Sequence, residues 1–170
     1  MDNLSLIIHV SAAVLFIGPQ VILFLAVVPA TWLIEDERLR RDVTLVVTQR
    51  FAKLAGAALV VLLVTGLYQF YSVVPTNVSD DMMNYRFGTL FMTKMILFTI
   101  VVALVAFHIV IGKRVGRLTE AVIAGEGEAF ELDSARRNSF LLSALMILVS
   151  FAILAFGVML GRAEFSYIPN

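Results

Sequence analysis

The chain has 170 residues, of which 60 % are hydrophobic and only 15 % are charged, whereas about 25 % of the residues of a soluble domain are charged. Its 13 Lys and Arg residues balance its 13 Asp and Glu residues, so net charge gives no reason to expect a nucleic acid partner. The absence of cysteine excludes disulfides, thiolate metal sites and a cysteine nucleophile. The composition therefore predicts a membrane protein that coordinates any metal or cofactor through His, Met, Lys, Tyr or carboxylates.

Four apolar segments are long enough to cross a bilayer, which takes about 20 helical residues. They are residues 4–34, 52–74, 90–111 and 140–160. The first is longer than needed and contains Pro19 and Pro29, so we expect it to be kinked or to extend past the membrane. The prediction is a single all-α domain over residues 1–170, an integral membrane antiparallel four-helix bundle surrounded by the lipid bilayer.

The basic residues predict how this bundle is oriented. Ten of the 13 Lys and Arg residues flank the first and third connections: Arg38, Arg40, Arg41, Arg50, Lys53, Lys113, Arg114, Arg117, Arg136 and Arg137. By the positive-inside rule these connections face the cytoplasm. Both termini and the loop 72–88 then face outward. The cytoplasmic connector 112–138 is expected to continue the third helix before a short break.

Polar residues within the spans should face the interior of the bundle, because polar atoms are costly in hydrocarbon. In the first span Ser5, His9 and Gln20 share one helical face, and in the third span Lys94 and His108 share another. This predicts a polar seam between spans one and three. Small residues form a stripe on the fourth span, which predicts close packing inside the bundle or in a homodimer: Ser139, Ser143, Ser150, Gly157 and Gly161.

Depth along the helices separates the two histidines. At 1.5 Å per residue, His9 lies about 7 Å and Lys94 about 6 Å from the outer side, whereas His108 lies roughly 27 Å down. Two axial ligands of one haem each lie about 2 Å from the iron, so His9 and His108 of one chain cannot hold the same haem. This leaves an outer-side site on His9, or two separate sites. His108 is then a second-site ligand, a proton relay or an interfacial packing residue.

Most of the methionines map to the outer loop or to the outer ends of spans three and four: Met82, Met83, Met92, Met95 and Met159. Thioether sulfur selects Cu(I), and imidazole suits copper as well as iron. A copper site of His9 with Met92, Met95 or Met159 is one interpretation, and ordinary apolar packing of the methionines is the other. Lys94 would repel a metal cation but suit a haem propionate or another anion; alternatively, its ammonium extends to the outer interface.

Three segments of the chain resemble a known family. Residues 7–30, IIHVSAAVLFIGPQVILFLAVVPA, resemble the first helix of the CopD-like copper-resistance membrane domain and of the related HemJ-type protoporphyrinogen oxidases, in which a His lies near the helix start. Residues 49–70, QRFAKLAGAALVVLLVTGLYQF, are similar to the CopD-like Arg-Phe entry and Thr-Gly exit. Residues 87–115, FGTLFMTKMILFTIVVALVAFHIVIGKRV, resemble the third helix, whose Lys corresponds to Lys94. The resemblance covers roughly residues 5–160.

In the HemJ-type enzymes this His and Lys are tied to haem binding and activity. The resemblance therefore implies that His9 and Lys94 bind haem b. Lys94 would be the catalytic residue of a haem-dependent membrane oxidoreductase; the other function that the resemblance allows is that of an electron carrier. The Phe107-His108 pair is similar to the aromatic-His ending of those enzymes and implies His108 as a further cofactor residue.

The CopD-like match is the better one, because the chain lacks the Leu-Pro-Arg and Asn-Glu-Val-Pro elements of the HemJ type. That resemblance implies a multi-pass protein of the bacterial inner (plasma) membrane that handles or transports copper. Its partner would be a periplasmic metal carrier or electron carrier. Copper and haem b remain the alternative cofactors, and a structural or assembly subunit without a metal is a third interpretation.

Overall fold

The computed structural model describes residues 3–162, which are almost entirely helical and contain no strand. Four long helices follow one another along the chain: α1 Asn3–Thr31, α2 Glu37–Val73, α3 Arg86–Ala124 and α4 Ala129–Arg162. Each contains an apolar stretch long enough to cross a membrane. The predicted all-α four-helix bundle is confirmed, and the length and composition of its helices support a multi-pass membrane protein.

Helix α1 is not regular over its whole length. A π-helical turn covers Leu23–Val27, where the N–H of Val28 reaches back five residues to the carbonyl of Leu23. Pro29 follows directly and has no N–H, and its ring would crowd the carbonyl four residues earlier in a regular helix. The wider turn before Pro29 relieves that crowding. The irregularity expected of the first span therefore lies in its second half.

The connections between α1 and α2 and between α3 and α4 are short. Asp36 caps α2 by accepting from the backbone N–H groups of Arg38 at 2.8 Å and Leu39 at 3.4 Å. Helix α3 runs to Ala124 and is terminated by Gly125, whose φ of 77° is in the left-handed region that glycine tolerates. Helix α4 starts at Ala129. Most of the connector 112–138 is therefore helical, with only residues 125–128 between the two helices.

The helices pack as two antiparallel hairpins, α1 with α2 and α3 with α4, which meet mainly through α1 and α4 and through α2 and α3. At the centre, Phe16 of α1 and Val101 of α3 are buried against Ala55 and Ala58 of α2. The two alanines leave room for the larger side chains opposite them. Many apolar side chains elsewhere on the helices point outward and are exposed, as expected for surfaces that contact lipid.

A second core closes the end of the bundle that contains residue 3 and the connection between α2 and α3. Val78, Tyr85 and Phe87 are buried there. A turn of 3-10 helix, Met82–Asn84, approaches α3 so closely that a Cβ added at Gly88 would collide with the carbonyl oxygen of Met82. Only glycine fits this approach. We call this end the outer end, because the basic residues predict that it faces away from the cytoplasm.

Ion pairs join the helices at the opposite end, called the basic end. Glu37, the first residue of α2, accepts from Arg136 of α4 at 2.7 Å and from Arg40 at 2.9 Å. Arg40 also donates to the carbonyl oxygen of Ile34, at 2.6 Å from Nη2. The hydrogen bond from Arg136 holds the pKa of the Glu37 carboxyl below its usual range. Glu37 therefore binds α2 to α4 outside the apolar part of the bundle.

Candidate metal centre

His9 lies in the outer half of α1 and is partly buried against α2. Its Nδ1 is 2.7 Å from Oγ1 of Thr65. One turn closer to the outer end, Nε2 of Gln69 donates to Oγ of Ser5 at 3.4 Å. The two contacts are one turn apart on both helices, as an antiparallel helix pair requires. The polar face of α1 therefore meets a polar face of α2 at the outer end.

The hydrogen bonds of Thr65 determine which nitrogen of His9 carries the proton. The hydroxyl of Thr65 lies 2.6 Å from the carbonyl oxygen of Val61. A hydroxyl has one proton and a backbone carbonyl can only accept, so Thr65 donates to Val61 and accepts from His9. Nδ1 of His9 is therefore protonated, and the lone pair of the neutral imidazole is on Nε2. Among the described residues Nε2 has no hydrogen-bond partner, which leaves it available to a ligand.

Gly66 leaves space for the imidazole ring on a second side. A Cβ added at Gly66 would lie 3.4 Å from Cε1 of His9, which is at the tight end of van der Waals contact. The ring edge therefore lies directly over the backbone of α2. The hydrogen bond to Thr65 therefore orients the ring, and the absence of a side chain at Gly66 leaves the ring edge its space.

Lys94 of α3 is a charged residue at the same end of the bundle as His9. Its ammonium is close enough to His9 to interact with it electrostatically. The same ammonium lies 3.6 Å from the position that a Cβ at Gly157 of α4 would occupy. Within residues 3–162 Lys94 has no acidic partner. The site therefore combines one imidazole with an unpaired positive charge, at the depth at which the sequence places both residues.

The hydrogen-bond partners of the polar face of α1 lie on α2 and α4, whereas the sequence analysis predicts a seam with α3. The reason is that α1 packs most extensively on α2. Deeper in the bundle, Gln20 is buried with its Oε1 3.5 Å from Oγ of Ser150 in α4. The Nε2 of Gln20 is buried without a hydrogen-bond partner among the described residues. Among the described residues, Lys94 is the one polar side chain of α3 found to interact with this face of α1.

His108 lies far from His9. It is on α3, 14 residues beyond Lys94, which corresponds to about 21 Å along the helix. Its ring is partly buried, and its Nδ1 has no hydrogen-bond partner within residues 3–162. His108 therefore takes no part in the arrangement around His9.

The predicted thioether ligands lie at the outer ends of α3 and α4 but on partly exposed surfaces. Met92 and Met159 are 38 % and 46 % exposed, and Met95 is intermediate. The part of the chain that the structure describes contains no group of three or more His, Asp or Glu side chains that could hold a metal ion. Among the described residues, a metal on His9 would therefore need ligands other than a cluster of His, Asp and Glu side chains.

Two residues of the site are missing from the candidates that the sequence provides. Thr65 enters the sequence analysis only through the Thr-Gly exit, and Gln69 is absent from it. Their spacing of four residues matches that of Ser5 and His9, and the two pairs lie at the same depth. Matching polar pairs on consecutive antiparallel spans are the signal that would have identified the contact.

Comparison with models of protein families, with curated proteins and with solved structures finds no match for this chain.

Proposed function

We propose that this chain is a multi-pass membrane protein that binds a redox metal at its outer end through Nε2 of His9. The observation that carries the proposal is the hydrogen bond from Nδ1 of His9 to Thr65. A metal-binding histidine usually donates its other ring N–H to an oxygen acceptor, which sets the tautomer and orients the ring. His9 has this arrangement, and its Nε2 is not occupied by another described residue.

Copper is the first candidate for the metal, and its handling or transport at the bacterial inner membrane is the corresponding function. The CopD-like resemblance of the sequence implies this, and the thioethers at the outer ends of α3 and α4 supply the soft ligands that Cu(I) prefers. Met92 and Met159 have flexible side chains that can rotate from the helix surface. The proton-free Nε2 would complete a site of imidazole and thioether.

Haem b is the second candidate, and the observation that favours it is the position of Lys94. Its ammonium interacts with His9 and has no described acidic partner. A positive charge beside the imidazole opposes a copper ion, whereas it would bind the propionate of a haem. His9 would then be an axial ligand, and the function would be that of a membrane oxidoreductase or electron carrier, as the HemJ-type resemblance implies.

Purified protein separates these candidates by its metal content and its absorbance spectrum. Copper in a ratio near one per chain without a Soret band supports the first, and a Soret band that shifts on reduction supports the second. In either case the His9→Ala variant is expected to lose the bound copper or haem. The His108→Ala variant is expected to retain it, because His108 lies far from His9 along the bundle.

Leucine substitutions at the methionines give an independent test. Met92→Leu with Met159→Leu is expected to release copper but to leave haem bound, since only copper would use the thioethers. Protein that contains neither metal nor haem, or His9→Ala that retains its cofactor in full, would contradict the proposal. The size-exclusion profile of each variant is compared with that of the wild type, so that a folding defect is distinguished from loss of a ligand.

A further inference from the structure

A groove runs between α3 and α4 towards the basic end, on the side of the bundle that faces the surroundings. Its volume is about 400 Å³. Phe107 and Ile111 form one wall, and Leu141 and Leu145 form the other. Phe107 is 57 % exposed and Leu141 is 58 % exposed, although both are large apolar residues. This surface lies within the apolar part of the bundle, where the surroundings are the acyl chains of lipids.

Polar groups are confined to one end of this groove. Arg114 of α3 and Asn138 of α4 line it there. Arg114 follows the apolar segment 90–111 by three residues, which is about 4.5 Å along the helix. Because that segment alone spans the hydrocarbon thickness of about 30 Å, the guanidinium lies at the level of the lipid headgroups. The groove thus changes from apolar to basic at the depth at which a phospholipid changes from acyl chain to phosphate.

No acidic side chain of the described residues neutralises the charge of Arg114. Within residues 3–162 it has no ion pair, whereas Arg40, Arg41 and Arg136 all have acidic partners. A neighbouring groove along α3 includes Glu120, which pairs with Arg41 at 3.6 Å. The groove at Arg114 has no acidic residue in its lining. The positive charge of the groove at Arg114 is therefore complementary to an anion.

We propose that this groove binds an anionic phospholipid of the leaflet at the basic end. An acyl chain lies between Phe107 and Leu145, and the phosphate accepts hydrogen bonds from the guanidinium of Arg114 and the amide of Asn138. Basic pockets between membrane helices on the cytoplasmic side bind the headgroups of anionic lipids, and a guanidinium matches a phosphate with two parallel hydrogen bonds. This binding site is independent of the metal proposed for His9.

The test is retention of lipid by the full chain in bilayer discs that contain mostly phosphatidylcholine and a minor fraction of phosphatidylglycerol. After transfer to detergent, the lipid that remains bound is measured by mass spectrometry. The wild type is expected to retain phosphatidylglycerol enriched over the disc composition. Arg114→Gln is expected to reduce that enrichment at least about fivefold. Arg86→Gln, on an exposed residue at the other end of the same helix, is expected to leave it unchanged.

A second variant tests the apolar part of the groove while Arg114 is retained. Leu145→Trp fills the groove from the α4 wall and is expected to lower retention as well. Equal retention of both lipids by the wild type, or unchanged enrichment in Arg114→Gln, would overturn the proposal. Displacement of the lipid by inorganic phosphate at a concentration equal to that of the lipid would also overturn it, because the acyl chain would then add nothing to the affinity. A dimer that Leu145→Trp dissociates would assign the groove to a second copy of the chain instead.

Discussion

At the scale of single residues, the hydroxyl group of Thr65 determines which ring nitrogen of His9 is free to bind a metal. An isolated neutral imidazole exchanges its proton between the two nitrogens, and either can bind a metal. In this protein the one proton of the Thr65 hydroxyl is directed to Val61 at 2.6 Å, so His9 must donate through Nδ1. A contact within α2 thus determines the ligand atom on α1.

Thr65→Val is expected to weaken cofactor binding by about 10- to 100-fold, which is the usual effect of removing an outer hydrogen-bond partner of a metal-binding histidine. Valine has nearly the shape of threonine, so the space that the ring occupies beside Gly66 is unchanged. The affinity is measured by titration of the cofactor-free protein with copper or with haem, whichever the purified protein contains.

Two variants control that experiment. Thr65→Ser keeps the hydroxyl and is expected to bind as the wild type does. Thr48→Val removes a hydroxyl that only bonds within α2 and should have no effect. If Thr65→Val binds its cofactor with unchanged affinity, the proposed orientation of His9 by Thr65 is wrong.

At the scale of helices, the ends of the bundle are held by different forces. The outer end has the small apolar core around Val78 and Tyr85, whereas the basic end has the contact of Glu37 with Arg136 at 2.7 Å. Apolar burial is insensitive to pH, but an ion pair depends on ionisation. The two ends should therefore respond differently to acid.

Glu37→Gln is expected to lower the free energy of unfolding by about 0.5–1 kcal/mol at neutral pH, the upper part of the range for ion pairs that solvent still reaches. Because the pKa of Glu37 is lowered in the folded state, its stabilising contribution is complete above the usual value of 4.5. It is lost as the pH falls through the lower folded pKa. The difference in the free energy of unfolding between wild type and variant should therefore disappear in acid. Denaturant unfolding at neutral pH and at a pH below the folded pKa of Glu37 measures it.

Glu126→Gln serves as the matched control, since Glu126 is exposed and has no ion pair among the described residues. This substitution is expected to change stability little at either pH. A difference between wild type and Glu37→Gln that persists in acid would assign the effect of that substitution to packing rather than to charge.

At the scale of the whole molecule, the distribution of basic residues predicts which end of the bundle faces the cytoplasm. Arg38 and Arg40 of α2 lie at the same end as Arg136 and Arg137 of α4. The outer end has few basic residues. By the positive-inside rule we expect the loop containing Asn77 outside and the turn containing Glu126 inside.

The chain contains no cysteine, so single cysteines can be introduced without any background. Asn77→Cys is expected to react with a membrane-impermeant maleimide in intact cells. Glu126→Cys is expected to react only after the membrane is opened. Both residues are exposed in the structure, so detergent-solubilised protein should be labelled at either position. The reverse pattern in intact cells would contradict the predicted orientation.

The sequence by itself determined the number of long apolar helices and the positions of the polar residues along them. Length and hydropathy are properties of each segment alone, and a rise of 1.5 Å per residue converts position into depth. For this reason His9 and Lys94 are expected at one level, and His108 at another, before any packing is known. The lack of cysteine also restricts the ligand candidates to a small set.

Only the tertiary structure decided which helices face one another. The polar face of α1 could meet any of the other three helices, and the sequence pattern favours α3 because Lys94 and His108 lie there. In the structure that face meets Thr65 and Gln69 of α2 instead. Helix periodicity specifies which residues share a face, but the neighbour of that face depends on many weak contacts summed over the whole bundle. The partner of His9 Nδ1, and with it the free nitrogen, is therefore set by packing.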